Sequence, residues 1–501
     1  MSFSAPTSRA QRSRRFLPWL LYLYALVLFA MHFVRIFDNS FWGDEGFTIR
    51  LVKASFYRMC RLTAGDVHPP LYYFFTQILY HIFGNHGYTY HLSALIPYGI
   101  ILVLACKVVR KWFGMIPAAV LVTLSSFTSS AILYNVEARM YSLGALCVLA
   151  AYLAFYQIYK ENRLFDWCVF GFTSLCAAYT HYYALLSVAF FYLMLLPLWF
   201  KGKEFRKRIL YLYGGTVLGY IIWLILPLRH SFQRTAEDWW LTDYASFWSC
   251  LKLMFGSSWL VIVFLAALVG GLLCLFGVLH AKDAPAATYR QGLPLSNECL
   301  LMLAGVVSIA GTIGIGMAMT YLIRPLLVPR YLFPLASVAY LMLGLCIQQL
   351  PARRVLAGLL VAVTLFFGVP NWWKVYQHEQ ALDEGTTQGL SVITPAENSV
   401  IYTNDDSLNW TLLEYYYPDT AHGYAKTPED CLSASTTDAY CIWMLDPFTE
   451  EELSYLKENG LSCEEIYSGL FMRDGFRGPF YMESFDQTYY IYHITQTEAL
   501  Q

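Results

Sequence analysis

The chain has 501 residues, 57% of them hydrophobic, 17% aromatic and only 14% charged. Soluble domains carry about 25% charged residues, so this composition excludes a disordered, collagen-like or ordinary soluble protein. The near-balance of 34 Lys and Arg against 35 Asp and Glu argues against a nucleic-acid partner, but the charge is unevenly placed: residues 1–371 hold 29 bases and 13 acids, residues 372–501 five bases and 22 acids. A basic, apolar body (1–371) followed by an acidic, soluble domain (372–501) is expected.

A bilayer span needs roughly 20 mostly apolar residues. The first candidate is 16–37. It is too long for a secretory h-region and lacks a small-residue cleavage site, so it reads as an uncleaved helix. Further candidates are 88–108, 115–135, 139–159, 165–181, 183–200, 209–228, 258–280, 298–320, 331–348 and 354–371, eleven spans in all. Arg9, Arg12, Arg14 and Arg15 then place the N-terminus in the cytoplasm. With eleven spans, every later basic cluster (107–111, 160–163, 201–208, 282–290, 353–354) falls on that same side, and the acidic tail lies outside.

Residues 70–84 are apolar but short. Counting them as a span would reverse the sidedness of every later loop, so they read as an interfacial or re-entrant helix on the outer face. They belong to a long first outer loop, 38–87. Earlier in that loop, Phe47, Leu51, Ala54 and Phe56 alternate with Arg50, Lys53, Arg58 and Arg61, the pattern of one amphipathic helix on the membrane surface. The tail patterns as a small α/β unit. Strands are expected at 399–403, 439–445 and 489–495, and helices at 406–416 and 449–459. Asn409-Trp410-Thr411 matches a glycosylation acceptor. The 12 cysteines include no CxxC, and packing is their default role. Cys431 and Cys441 lie outside the spans and could pair, although the sequence alone does not supply the geometry.

Ionisable residues gather in the outer segments. Asp44 and Glu45 follow the first span in FWGDEGF, where a carboxylate could serve as general base or hold a cation. His68 precedes two prolines and Tyr72 in HPPLYY, at a helix start. Glu137 and Arg139 lie in NVEARMY between the third and fourth spans. His181 sits in a later outer turn. Arg324, Arg330 and Tyr331 flank the turn of IRPLLVPRYLFP, two cations on the side that basic residues avoid, suited to a lipid phosphate. The span interiors are almost free of charge. A pump or flippase, the alternative class, needs polar groups within its spans; a membrane scaffold is a third.

In order, spacing and sidedness, the acidic pair, HPPLYY, ARMY and PRYLFP resemble the protein O-mannosyltransferase and aminoarabinose-transferase superfamily, bacterial branch. These are integral-membrane glycosyltransferases of the C type, and the resemblance covers about 16–345. It implies an all-α polytopic membrane bundle with a small extracytoplasmic α/β domain. It also implies a multi-pass enzyme of the cell membrane that moves a sugar from a polyprenyl-phosphate donor to an extracytoplasmic glycan, lipid, cell-wall polymer or protein, with inversion. Carried over by motif, Asp44 is the general base and Glu45 its neighbour. His68, Arg330, Tyr331 and Arg324 face the donor phosphate, while Glu137, Arg139, Tyr72 and His181 are further site candidates. No cofactor is expected; a divalent cation at Asp44, Glu45 and His68 is possible but not favoured. The loop 229–257 is too short for the large lumenal insertion of eukaryotic members, which leaves the acceptor open.

Overall fold

A computed structural model describes residues 9–65, 68–231, 245–275, 297–323, 325–405, 408–433, 438–471 and 488–496. The helices in chain order are α1 (Arg9–Phe33), α2 (Gly43–Lys53), α3 (Phe56–Ala64), α4 (Leu71–Phe83), α5 (Gly87–Leu104), α6 (Arg110–Phe113), α7 (Met115–Phe127), α8 (Ser129–Tyr134), α9 (Tyr141–Lys160), α10 (Leu164–Thr180), α11 (Tyr182–Leu195), α12 (Lys203–Ser231), α13 (Phe247–Phe255), α14 (Ser258–Leu275), α15 (Asn297–Leu322), α16 (Ala336–Gln349) and α17 (Arg353–Val392). The tail adds α18 (Leu413–Tyr416), α19 (Glu450–Glu458) and strands β1 (Val400–Thr403), β2 (Ala421–Tyr424), β3 (Asp438–Met444), β4 (Leu461–Leu470) and β5 (Thr488–Gln496).

Among the described residues, eight helical segments are long and apolar enough to cross a membrane. α13 and α14 meet at a bend of 98° and pass the same test only when taken together. α7 and α10 are shorter apolar helices. Each of the eleven expected spans coincides with one of these elements, and the chain is a multi-pass membrane protein. Within 70–84, Leu71–Phe83 form the 13-residue helix α4.

The chain divides into two compact units. The membrane unit comprises 1–34, 56–75 and 91–372; the tail unit comprises 35–55, 76–90 and 373–501. The last segment of the tail unit opens at Trp373. Parts of the first outer loop, expected with the membrane body, cluster instead with the tail.

Burial within the membrane unit separates central from peripheral helices. The span Pro329–Gln349 is 94% buried, whereas Lys203–Ile225 is 22% buried and presents its apolar surface outward. α16 packs on α7, α14 and α9. A Cβ on Gly344 would lie 2.6 Å from the Pro117 Cα, so only glycine permits this approach of α16 to α7. Small residues serve this purpose where lipid supplies no hydrophobic drive between helices. Polar side chains add specific ties: Tyr340 Oη donates to Met254 O at 2.5 Å, Tyr152 Oη to Leu301 O at 2.6 Å, and Ser308 Oγ to Ser187 O at 2.9 Å.

The tail unit is a five-stranded sheet in the order β2-β1-β3-β5-β4. β1 runs parallel to β2 and β3; β5 runs antiparallel to β3 and β4. Cys441 on β3 sits opposite Tyr402 on β1 and Tyr492 on β5. α19 begins with a capping box, Thr449 and Glu452 bonding reciprocally.

Two expectations are corrected here. The single surface helix over 47–61 is two, broken where Ala54 takes an extended conformation (φ −74°, ψ 157°). α2 buries Glu45, Thr48, Ile49, Leu51 and Val52, while Phe56, placed on the expected apolar stripe, is exposed. α17 does not end near residue 371 but runs 40 residues to Val392. Beyond the span its burial is one-sided, with Val375, Glu379, Leu382 and Thr386 buried at helical spacing. The expected tail helix from 406 starts outside the described residues at 406–407 and continues as a π turn, Leu408–Leu412, and α18. The expected strands all form, as β1, β3 and β5; β2 and β4 add to them.

Candidate functional site

In the membrane unit, short segments outside the long helices bring together most of the candidates. Residues 68–70 lead into α4. Residues 135–140 join α8 to α9, and Ser142 Oγ and Asn135 Nδ2 pin that turn by donating to Tyr134 O and Ser125 O, each at 2.8 Å. His91 Nδ1 meets Val136 O at 2.9 Å. Residues 329–335 form a 3-10 turn with Pro329 at its start and Pro334 inside. Proline fixes φ and tolerates the unbonded first turn, so PRYLFP sets Arg330 and Tyr331 rigidly ahead of α16.

Tyr331 is the hub. Its ring lies edge-on to His68 (5.6 Å between centroids, 87°) and to His181 (5.1 Å, 63°), and 5.7 Å from Tyr183. The His68 and His181 rings are 5.3 Å apart, and Tyr141 lies 6.2 Å from His181. Arg139 is buried and reaches Tyr73 Oη with Nη1 at 3.5 Å. Tyr72, fully buried, meets Ser93 Oγ at 2.5 Å. Glu137 is buried in the same turn as Arg139.

His181 reports on the electrostatics. It caps α11: its Nδ1 accepts the Tyr183 N–H at 3.1 Å, which leaves the ring proton on Nε2. Nε2 is buried and has no hydrogen-bond partner among the described residues. Burial first, and then His68, Arg139 and Arg330, hold its pKa well below the ordinary histidine value. The ring is therefore neutral, an N–H donor available to an anion, near the guanidinium groups of Arg139 and Arg330. The pH consequence has a definite sign. Below pH about 6.5 the unfolded chain accepts a proton here that the native state refuses. The stability tied to this group is complete above that pH and is lost as pH falls. His181→Gln is expected to flatten the loss of unfolding midpoint between pH about 6.5 and 5. An unchanged slope would show that the imidazole is not held neutral.

In the tail unit, Asp44 occupies the first turn of α2, where the helix dipole favours a carboxylate. It is half-buried. Glu45 is fully buried and its Oε2 accepts the Trp42 N–H at 3.4 Å, reaching back over the helix start. The adjacent acids are thus unequal: one engages its own helix end, and the other stands less enclosed. α2 packs on residues 408–416. Phe41 meets Tyr90 and Tyr415 edge-on at 6.0 and 5.5 Å, and Tyr416 Oη donates to Asn39 O at 2.5 Å.

Of the expected site residues, His68, Arg139, His181, Arg330 and Tyr331 converge, with Glu137 in the adjoining turn and Tyr72 beside the Tyr73 that Arg139 reaches. Asp44 and Glu45 belong to the tail unit. Arg324 lies outside the described residues. Tyr73 and Tyr183, which the sequence reading does not single out, contact site residues. Each is the second tyrosine of a Tyr-Tyr pair that follows a histidine, in HPPLYY and HYY, and that is the available signal. Among the described residues, no three His, Cys, Asp or Glu side chains converge as a metal site.

Residues 67–226 match the dolichyl-phosphate-mannose-protein mannosyltransferase family. No curated protein matches the chain significantly. Among solved structures, ArnT from Cupriavidus metallidurans in the apo state aligns with a TM-score of 0.50 at 13% identity, covering 94% of this chain and 97% of that one. The same protein bound to undecaprenyl phosphate aligns with a TM-score of 0.52 at 14% identity and the same coverage. At such identity the likeness is one of fold, and it extends through both the helical bundle and the small sheet domain. In sequence over residues 67–226, and in fold over nearly its whole length, the chain is similar to the integral-membrane glycosyltransferases of the protein O-mannosyltransferase and aminoarabinose-transferase superfamily.

Proposed function

We propose that the chain is an inverting glycosyltransferase that takes a sugar from a polyprenyl-phosphate donor and passes it to a hydroxyl acceptor outside the cytoplasm. The observation that supports this most is the convergence of His68, Arg139 and Arg330 around the neutral His181 and Tyr331. Two arginine forks and a neutral imidazole N–H brought to one place match the oxygens of a phosphate, which takes charge-assisted hydrogen bonds from them. The family matched over 67–226 is named for a dolichyl-phosphate sugar, and the fold neighbour was crystallised with undecaprenyl phosphate.

In this reading Asp44 is the general base. It takes the proton of the acceptor hydroxyl as that oxygen bonds to the anomeric carbon. The bond from that carbon to the phosphate oxygen breaks, and its electron pair leaves with the polyprenyl phosphate. The leaving group is already stable and needs no strong general acid. It needs preorganised donors where negative charge grows, a role assigned to Arg330, Arg139, His68, Tyr331 and the His181 Nε2–H. Arg324 is a further candidate by its sequence position, and Tyr72 and Glu137 shape the surroundings. With this much fixed positive charge, we assign no essential metal. In this reading the protein lies in the cell membrane, with its N-terminus in the cytoplasm and the tail unit outside. The acceptor is a glycan, lipid, cell-wall polymer or protein.

The expected test is binding of polyprenyl phosphate to detergent-solubilised protein. Losing one charge-assisted hydrogen bond costs about 1.5–3 kcal/mol, so Arg330→Met and Arg139→Met should each weaken binding by about tenfold to a hundredfold, and a chelator should leave it unchanged. Wild-type affinity in both variants, with unfolding temperatures intact, would remove the phosphate assignment.

A further inference from the structure

The tail unit contains a pair of thiols that the transfer chemistry does not use. Cys431 lies in the 3-10 turn Pro428–Ser433, on the connection from β2 to β3. Cys441 lies in the middle of β3. Their sulfur atoms are 3.0 Å apart, and both side chains are buried in one cluster with Trp443, Phe448, Leu456 and Tyr492. A disulfide requires an approach of only about a further 1 Å.

We propose that Cys431 and Cys441 form a structural disulfide that fastens the β2–β3 connection to the central strand of the tail sheet. The inference rests on the reading that the tail lies outside the cytoplasm, where such bonds persist. Two S–H bonds are lost and one S–S bond forms. The two electrons and two protons pass to a disulfide-bearing thiol oxidant of that compartment, which leaves as the dithiol.

Sheet geometry selects this pair over the third tail cysteine. Cys463 on β4 packs against the same cluster, but β5 lies between β4 and β3. Two strand spacings of roughly 4.8 Å put its backbone almost 10 Å from that of Cys441. Disulfides do not bridge Cα atoms more than about 7 Å apart. Cys463 is therefore out of reach of Cys441, and the 3.0 Å approach of the Cys431 and Cys441 sulfurs selects that pair and leaves Cys463 the thiol. Burial also fixes the order of events: Cys431 is 3% exposed and Cys441 is not exposed at all, so an oxidant reaches them before the sheet closes. For the same reason a reductant reaches the bond only when the tail opens.

The test uses the full chain made in cells. Thiols are trapped by acid, alkylated with a maleimide in denaturant without reductant, and mapped by peptide mass spectrometry. The expected result is alkylation of Cys463 alone among the three. The Cys431 and Cys441 peptides should be linked, two hydrogens lighter than the separate thiol peptides, and both should be alkylated after reduction. Alkylation of both without reduction would overturn the proposal. A membrane-impermeant amine reagent on spheroplasts, read at the exposed Lys426 and Lys457, separates the causes. Free thiols on a labelled tail would mean that the pairing fails and the topology stands. Free thiols on an unlabelled tail would sink both.

Discussion

Asp44→Asn is expected to abolish sugar transfer while leaving the protein folded and able to bind its donor. General-base catalysis contributes typically 10²–10⁴-fold, so the rate should fall by about a thousandfold. Donor affinity should stay within about twofold, because the phosphate is assigned to His68, Arg139, Arg330 and Tyr331. The structural cost should be small. Asp44 is half-buried in the first turn of α2, and removing a charge from a helix start costs about 0.3–1 kcal/mol. Glu45→Gln provides the contrast. Glu45 is fully buried against the start of α2, so its substitution should lower stability more than it lowers the chemical step. If Asp44→Asn retained full turnover, or Glu45→Gln alone lost it, the base would have to be reassigned.

Arg35→Met should destabilise the tail unit severely. Arg35 Nε and Nη2 donate to Glu379 Oε2 and Oε1 at 2.7 and 2.6 Å, a two-pronged pair with side chains 0% and 4% exposed. Removing one partner of such a pair strands a buried charge and costs about 3–5 kcal/mol, a large share of the roughly 5–15 kcal/mol that holds a typical domain together. Asn39 N–H donates to Asp383 Oδ1 at 2.8 Å, one helical turn along α17, so the same face of α17 carries a second tie to the residues that lead into α2. Protease sensitivity should therefore appear in both 35–55 and 373–392. Replacing both partners, Arg35→Met with Glu379→Met, should restore most of the stability, since an apolar pair of similar volume carries no stranded charge. A single variant that unfolds within about 1 kcal/mol of wild type would contradict this.

The bundle was legible in the sequence because hydropathy is the dominant constraint on a chain in lipid. All eleven apolar stretches became helices of the membrane unit, the stretch 258–280 being described as far as Leu275 in α14; α13, in the expected outer loop, was not among them. Errors came where that constraint stops. Hydropathy falls at residue 371, so the apolar pattern alone ends the span there. The helix continues because Val375, Glu379, Leu382 and Thr386 give it a buried stripe in the tail unit. Charges that recur at helical spacing over 47–61 predict one unbroken helix. The break at Ala54 is held by tertiary contacts: Gln77 Nε2 donates to Val52 O and Ala54 O at 2.9 and 2.8 Å. β2 and β4 escaped detection because AHGY is short and mostly exposed and LSCEEIYSGL carries two glutamates in its middle. Ladder partners, not composition, make them strands.

The site shows the same division. Residue types and sidedness pointed to His68, Arg139, His181, Arg330 and Tyr331, and the fold brings these together. No periodicity could show that Tyr331 would sit edge-on between two histidines, or that the His181 Nδ1 would be occupied by a backbone N–H. Those relations depend on three chain segments more than 50 residues apart. Nor did the acidic pair reveal its inequality, which arises because Glu45 turns back to the start of its own helix.

The most direct measurement is transfer from a radiolabelled polyprenyl-phosphate sugar in proteoliposomes of known orientation, comparing wild type with Asp44→Asn. The expected result is donor-dependent release of polyprenyl phosphate and a labelled glycoconjugate with wild type only, formed on the side that carries the tail unit. Movement of the donor across the bilayer with no transfer product, by folded protein and across a panel of donors, would contradict the account and identify a transporter.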